Sequence, residues 1–123
     1  MKSSSLFRSF GHAFRGIGTA YRTERSFRYQ IGAAVVLFAS LTVIPLENWE
    51  RAILVLVAAL VLVLELLNSS LERLTDLAKP RLHAYAGEIK DLMAGSVLVA
   101  SIAAVALGLM IVGPHLFTYF SRV

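Results

Sequence analysis

Glu65-Leu66-Leu67-Asn68-Ser69-Ser70-Leu71-Glu72-Arg73-Leu74-Thr75-Asp76 closes an unbroken apolar run that extends from Ala52 to Leu64. Glu65, Asn68, Glu72 and Asp76 are spaced by three, four and four residues. On a helix of about 3.6 residues per turn they share one face. A carboxylate at the end of a membrane-like run is costly, so it is read first as functional. The run and its acids predict a spanning helix over 52–74 with chemistry at one end.

Composition agrees with a membrane setting. The chain has 123 residues, enough for one domain. It is 57% hydrophobic and 16% charged, with mean hydropathy +0.69, whereas soluble domains carry about 25% charged residues. Cysteine is absent, which excludes thiolate nucleophiles, disulfides and Cys-ligated metals. The net charge is +4, and six of the twelve Lys and Arg fall in the first 28 residues. Beside apolar spans, a basic amino terminus points to anionic headgroups and not to nucleic acid. Its aromatic interleaving and length do not fit a secretory signal, which needs an apolar core directly after the basic stretch.

Residues 3–28 read as an amphipathic surface helix. Phe7, Phe10, Phe14, Ile17 and Tyr21 recur at three- and four-residue spacing, and Arg8, Arg15 and Arg22 form a second stripe. Such a helix lies in the membrane interface, and its basic residues can also meet a phosphorylated ligand. Gly11, Gly16 and Gly18 weaken the helix, which a close-packed partner or a bend would explain. A first span covers 29–46 and is ended by Pro45. Trp49 sits where an interfacial anchor belongs. A polar connection begins at Lys79-Pro80, and a third span covers 90–113, stopped by Pro114. Ser96, Ala100, Ala104 and Gly108 recur every four residues, a row suited to close helix packing. The expected class is therefore an all-α membrane protein with three transmembrane helices and an N-terminal surface helix.

Charge asymmetry orients it. Six Lys and Arg precede the first span and four lie between 73 and 90, but only Arg51 and Arg122 lie on the other side. The positive-inside rule puts the amino terminus in the cytoplasm and the carboxy terminus outside. Glu65 then lies roughly 20 Å from the outer boundary, toward the cytoplasmic edge of a core about 30 Å thick. Glu24, Glu72, Lys90 and Asp91 fall at or beyond that edge.

Carboxylates with an amide and nearby cations suit a hard cation such as Mg²⁺ beside phosphate. Phosphoryl transfer needs those parts and a base for the attacking hydroxyl. Glu65, the deepest acid, is the candidate base; Glu72 and Glu24, in the wetter layer, are the candidate metal ligands. The competing use of these acids is interfacial salt bridging with Arg73, Arg25 or Lys90. The common P-loop and protein-kinase patterns are absent, as is an H-E-x-x-H zinc motif. His12, His83 and His115 are far apart in the chain.

The Glu65–Asp76 stretch, followed by Lys90-Asp91-x-x-Ala94-Gly95-Ser96 and preceded by Thr23-Glu24-Arg25-Ser26-Phe27-Arg28, resembles the prokaryotic diacylglycerol kinase and undecaprenol kinase family. The resemblance covers about residues 5–113. It implies a bacterial cytoplasmic-membrane enzyme, a homotrimer, that uses Mg²⁺ and ATP to phosphorylate a lipid hydroxyl. It further implies Glu65 as general base and Glu24 and Glu72 as metal ligands. Arg8, His12, Glu24, Asn68, Glu72, His83, Lys90 and Asp91 are implied on the nucleotide side, and Arg15 with Glu65 on the lipid side. His12, Arg81 and Leu82 depart from residues found in enterobacterial members, which touches the adenine side only. Phe27-Arg28 and Gly113-Pro114 lean toward the undecaprenol branch, with diacylglycerol the other substrate. A non-enzymatic membrane assembly protein, with its acids as interhelical glue, is the alternative. A cation pathway is disfavoured because residues 52–64 carry no polar side chain.

Overall fold

Four helices follow one another without a strand among the described residues: α1 (Lys2–Thr23), α2 (Arg25–Val43), α3 (Asn48–Leu82) and α4 (Ala86–Phe120). The structure is a computed structural model and describes residues 2–122; the side chains of residues 2–4 and of Leu82 lie outside that description. Three helices, α2 to α4, are long and apolar enough to cross a membrane. The expected all-α class with three spanning helices is therefore observed.

The surface helix stops earlier than its sequence pattern suggests. Glu24 adopts an extended backbone with φ −105° and ψ 114°. Its N–H still bonds the Ala20 carbonyl at 2.8 Å, and its own carbonyl accepts from Arg28 N–H at 3.3 Å. One residue thus ends α1 and begins α2. The glycines do not break α1, and a Cβ at Gly11 or Gly16 would meet no atom within 4 Å. The close-packed partner expected at these two glycines is therefore not supplied within one chain.

Of the three prolines read as boundaries, Pro45 lies beyond the end of α2 as expected, but Pro80 and Pro114 lie inside helices: α3 continues past Pro80 to Leu82, and α4 past Pro114 to Phe120. Proline removes one N–H donor, but membrane helices tolerate the loss where neighbouring groups take over the freed positions. Pro80 frees the Asp76 carbonyl and Pro114 the Met110 carbonyl, and each helix continues beyond its proline all the same. Two helices of 35 residues result, each about 52 Å long. That exceeds a hydrocarbon core of about 30 Å, so the polar stretch of α3 stands on helix that leaves the apolar layer.

The packed centre lies toward the opposite end. Leu41, Leu46, Leu54 and Ile111 are buried together, with Leu37, Ile53 and Val112 against them. A polar clasp adjoins it: His115 Nε2 lies 3.1 Å from Glu50 Oε2, the oxygen that also accepts the Glu47 N–H at 2.8 Å. Trp49 Nε1 donates to Glu47 Oε2 at 2.6 Å.

The rest of the apolar surface is left open. One chain exposes 9290 Å², against about 6,500 Å² for a folded soluble monomer of this mass. On α1 the aromatic stripe points outward, with Phe7 77% and Phe14 71% exposed. The small-residue row of α4 does not form a tight seam within the chain. Ser96 is exposed, and a Cβ at Gly108 would meet nothing within 4 Å.

Candidate functional site

The acid stripe of α3 is shared between two neighbours. Measured round the helix from Glu65 at 100° per residue, Ser69 and Arg73 turn to one side and Glu72 and Asn68 to the other. The break between α1 and α2 meets the first flank, and the start of α4 meets the second.

Glu65 is the centre of the first flank and is only 4% exposed. Ser26 Oγ donates to its Oε1, and Gln30 Nε2 lies 3.4 Å from its Oε2. Both donors sit on the first turns of α2, one turn apart, because the chain restarts its helix at Arg25. No ion pair reaches Glu65 among the described residues. A buried carboxylate held by neutral donors keeps its orientation and stays available for a proton. Neither donor was singled out in the sequence, although Ser26 lies inside the stretch that carries the resemblance.

Glu24 lies one turn of α3 away. Its Oε1 accepts from Ser69 Oγ at 3.1 Å, from Arg73 at 3.3 Å and from Thr23 Oγ1 at 3.3 Å. Arg73 also donates to Thr23 Oγ1 at 2.6 Å. All these donors converge on one oxygen; among the described residues none reaches Oε2. Ser69, Ser70 and Arg73 line a cavity of about 520 Å³ whose other wall is α1, at Ala13, Gly16 and Ala20.

On the second flank, Asn68, Glu72, Lys90 and Asp91 line a groove of about 200 Å³ between α3 and α4. Lys90 Nζ donates to Asp76 Oδ1 at 2.6 Å and lies 3.9 Å from Glu72 Oε1. A cation between two carboxylates cancels their repulsion and remains 34% exposed, able to meet a phosphate. Asp91 also lines a broad open groove of about 990 Å³ along α4, bounded by Leu64, Glu88, Ser96 and Ala100.

The remaining candidates are not brought together. Arg15 donates to His12 Nδ1 at 2.6 Å on the exposed side of α1. Arg8 lies one turn earlier and is also exposed, and His83 is exposed in the turn between α3 and α4. The departure noted at Leu82 falls on a side chain outside the described residues. The salt bridges weighed as the competing use of the acids occur in part: Glu24 pairs with Arg73, and Lys90 with Asp76 and Glu72.

No group of three or more His, Asp and Glu side chains converges among the described residues. A Mg²⁺ that also grips nucleotide phosphates needs only one or two protein carboxylates. The donor set fits that mode: Glu24 has an oxygen without a donor, and Glu72 is 49% exposed with its nearest cation at 3.9 Å.

The sequence has relatives. A profile described as Prokaryotic diacylglycerol kinase matches residues 11–112. The chain belongs to the prokaryotic diacylglycerol kinase family. It is 37% identical to a diacylglycerol kinase of Synechocystis sp. over 93% of its own length and 66% of that protein. It is 36% identical to an undecaprenol kinase of Bacillus subtilis, over 90% of each chain. A diacylglycerol kinase of Escherichia coli is 29% identical over 89% of this chain and 90% of its own. The family match spans the α1–α2 break, the whole of α3 and most of α4, the elements that carry the contacts on both flanks of α3.

Proposed function

We propose that this protein is an integral membrane lipid kinase that moves the γ-phosphate of ATP to a lipid hydroxyl, diacylglycerol or undecaprenol. The observation that carries the proposal is Glu65, a buried carboxylate with neutral donors and no ion pair among the described residues, adjacent to a cation-bearing groove. Family membership supports the reaction, and relatives named for both lipids support both substrates.

In this reading the lipid hydroxyl approaches Glu65 from the apolar side, and Glu65 takes its proton as the oxygen attacks the γ-phosphorus; the bond from that phosphorus to the β,γ-bridging oxygen breaks and ADP leaves. Ser26 and Gln30 hold the carboxylate in place. Lys90 meets nucleotide phosphate oxygens, with Asn68 and Asp91 beside it. Glu24 and Glu72 would hold Mg²⁺, which when bound neutralises charge on the transferring phosphoryl group. Arg8, His12 and His83 extend the nucleotide side, and Arg15 guides the lipid at the interface. The distribution of Lys and Arg supports a cytoplasmic amino terminus and an external carboxy terminus in the bacterial cytoplasmic membrane. The open groove beside Asp91 and the large exposed apolar surface support a homotrimer in which a second copy completes the site.

The test uses purified protein in bilayers with Mg-ATP and each lipid. Glu65→Gln should lower kcat by about 10²–10⁴-fold with assembly unchanged. Undiminished turnover in that variant would remove Glu65 from the mechanism.

A further inference from the structure

Arg28 stands where its own helix disfavours it. α2 opens with Arg25 and Arg28 and has no acidic residue in its first turn, so cations crowd the positive end of a helix dipole. The contacts of Arg28 supply a reason. Its NH1 donates to the carbonyls of Tyr21 at 2.9 Å and Arg22 at 3.2 Å, which belong to the last turn of α1. Those carbonyls have no acceptor role left inside α1, and a cation there also suits the negative end of that dipole. The backbone N–H of Arg28 meanwhile bonds the Glu24 carbonyl at 3.3 Å. Residue 28 therefore grips the chain on both sides of residue 24.

The break needs such a grip. Thr23-Glu24-Arg25 contains neither proline nor glycine, so nothing covalent fixes its angle. Glu24 makes no side-chain cap on α2; its carboxylate crosses instead to Ser69 and Arg73. Where that carboxylate lands depends on the angle between α1 and α2.

We infer that Arg28 is a positioning residue for Glu24: by tying the end of α1 to the start of α2 it aims Glu24 Oε2, the oxygen without a donor, toward its metal. The inference rests on the reading of Glu24 as a metal ligand. Arg25 provides an internal control. It carries the same charge in the same turn, yet its side chain makes no hydrogen bond or ion pair among the described residues.

Two measurements test it on the full-length protein. Mn²⁺ titration followed by electron paramagnetic resonance, with a non-hydrolysable ATP analogue present, reads the metal site without turnover. Partners that orient a ligand typically contribute 10–100-fold in metal affinity, so Arg28→Gln should weaken Mn²⁺ by about that range. Arg28→Lys should recover part of the loss, and Arg25→Gln should bind as wild type does. Hydrogen exchange in the metal-free protein should quicken at Glu24 and Arg28 in Arg28→Gln only. Wild-type affinity in Arg28→Gln, or an equal loss in Arg25→Gln, overturns the inference alone. A wild type that binds no Mn²⁺ overturns the metal reading as well, while the exchange rates still report whether Arg28 fixes the break. Should Arg28→Gln fail to fold, Arg28→Lys carries the test, and unchanged affinity in it is the contradicting result.

Discussion

Ser26 and Gln30 determine what Glu65 can do. A buried carboxylate with a cationic partner would be a structural ion pair; with neutral donors it keeps a lone pair for a proton. Place separates Lys90 from Arg73. Both are paired and partly exposed, but Arg73 binds Glu24 and Thr23 on the first flank, whereas Lys90 lies between Asp76 and Glu72 on the groove that Asn68 and Asp91 also line. Replacing Lys90 by Met should raise the KM for ATP by about tenfold or more, the scale of one charge-assisted hydrogen bond, and leave the lipid KM unchanged. Steady-state kinetics with each substrate varied in turn measures this; a shift in the lipid KM alone would move Lys90 to the other side of the site. At this scale the sequence was informative for acids and silent for their partners. The spacing of Glu65, Asn68, Glu72 and Asp76 follows from helix geometry, and that geometry held. Ser26, Gln30 and Ser69 could not be singled out, because their roles depend on which flank of α3 the α1–α2 break meets. That is a tertiary fact, with no local signal in a serine or a glutamine.

At the scale of elements, the long helices carry the fold and the short break carries the site. Periodicity and apolar runs announced every helix, but the boundaries moved at Pro80 and Pro114, which do not stop their helices as Pro45 does. Pro80 and Pro114 each remove one donor, and the helices run on past both. The break expected after residue 28 lies instead at Glu24 for the converse reason: no breaker residue marks it, and it is held by contacts of Arg28. The packed end of the bundle should respond as a conventional core does. Leu54 is 2% exposed within the cluster of Leu41, Leu46 and Ile111, so Leu54→Ala should cost about 2–5 kcal/mol. Unfolding in mixed detergent micelles measures it. Activity per folded molecule should persist, since the cluster lies away from Glu65; a variant that is fully folded yet inactive would connect the two ends of the bundle.

At the scale of the whole molecule, one chain is incomplete as a globule. Its 9290 Å² of exposed surface suits a lipid environment and contact with further copies. A chain without cysteine gives a clean test of orientation. Single variants Lys79→Cys and Arg122→Cys, challenged in intact spheroplasts with a membrane-impermeant thiol reagent, should differ: position 122 labels and position 79 is protected. The reverse pattern would invert the topology and move the acid layer to the outer face, away from cytoplasmic ATP. The alternative of a non-enzymatic assembly protein would use the Glu24–Arg73 and Lys90–Asp76 pairs and the Glu65 contacts with Ser26 and Gln30 as interhelical glue; it predicts that Glu65→Gln loosens assembly, where the kinase reading predicts lost turnover with assembly unchanged. The measurement that bears most directly on the account is radiolabelled phosphate transfer from ATP to lipid, with purified protein in bilayers containing diacylglycerol or undecaprenol. The account predicts a labelled lipid phosphate with at least one of the two, abolished or nearly so in Glu65→Gln. Transfer to neither lipid, or equal transfer by wild type and Glu65→Gln, would contradict it.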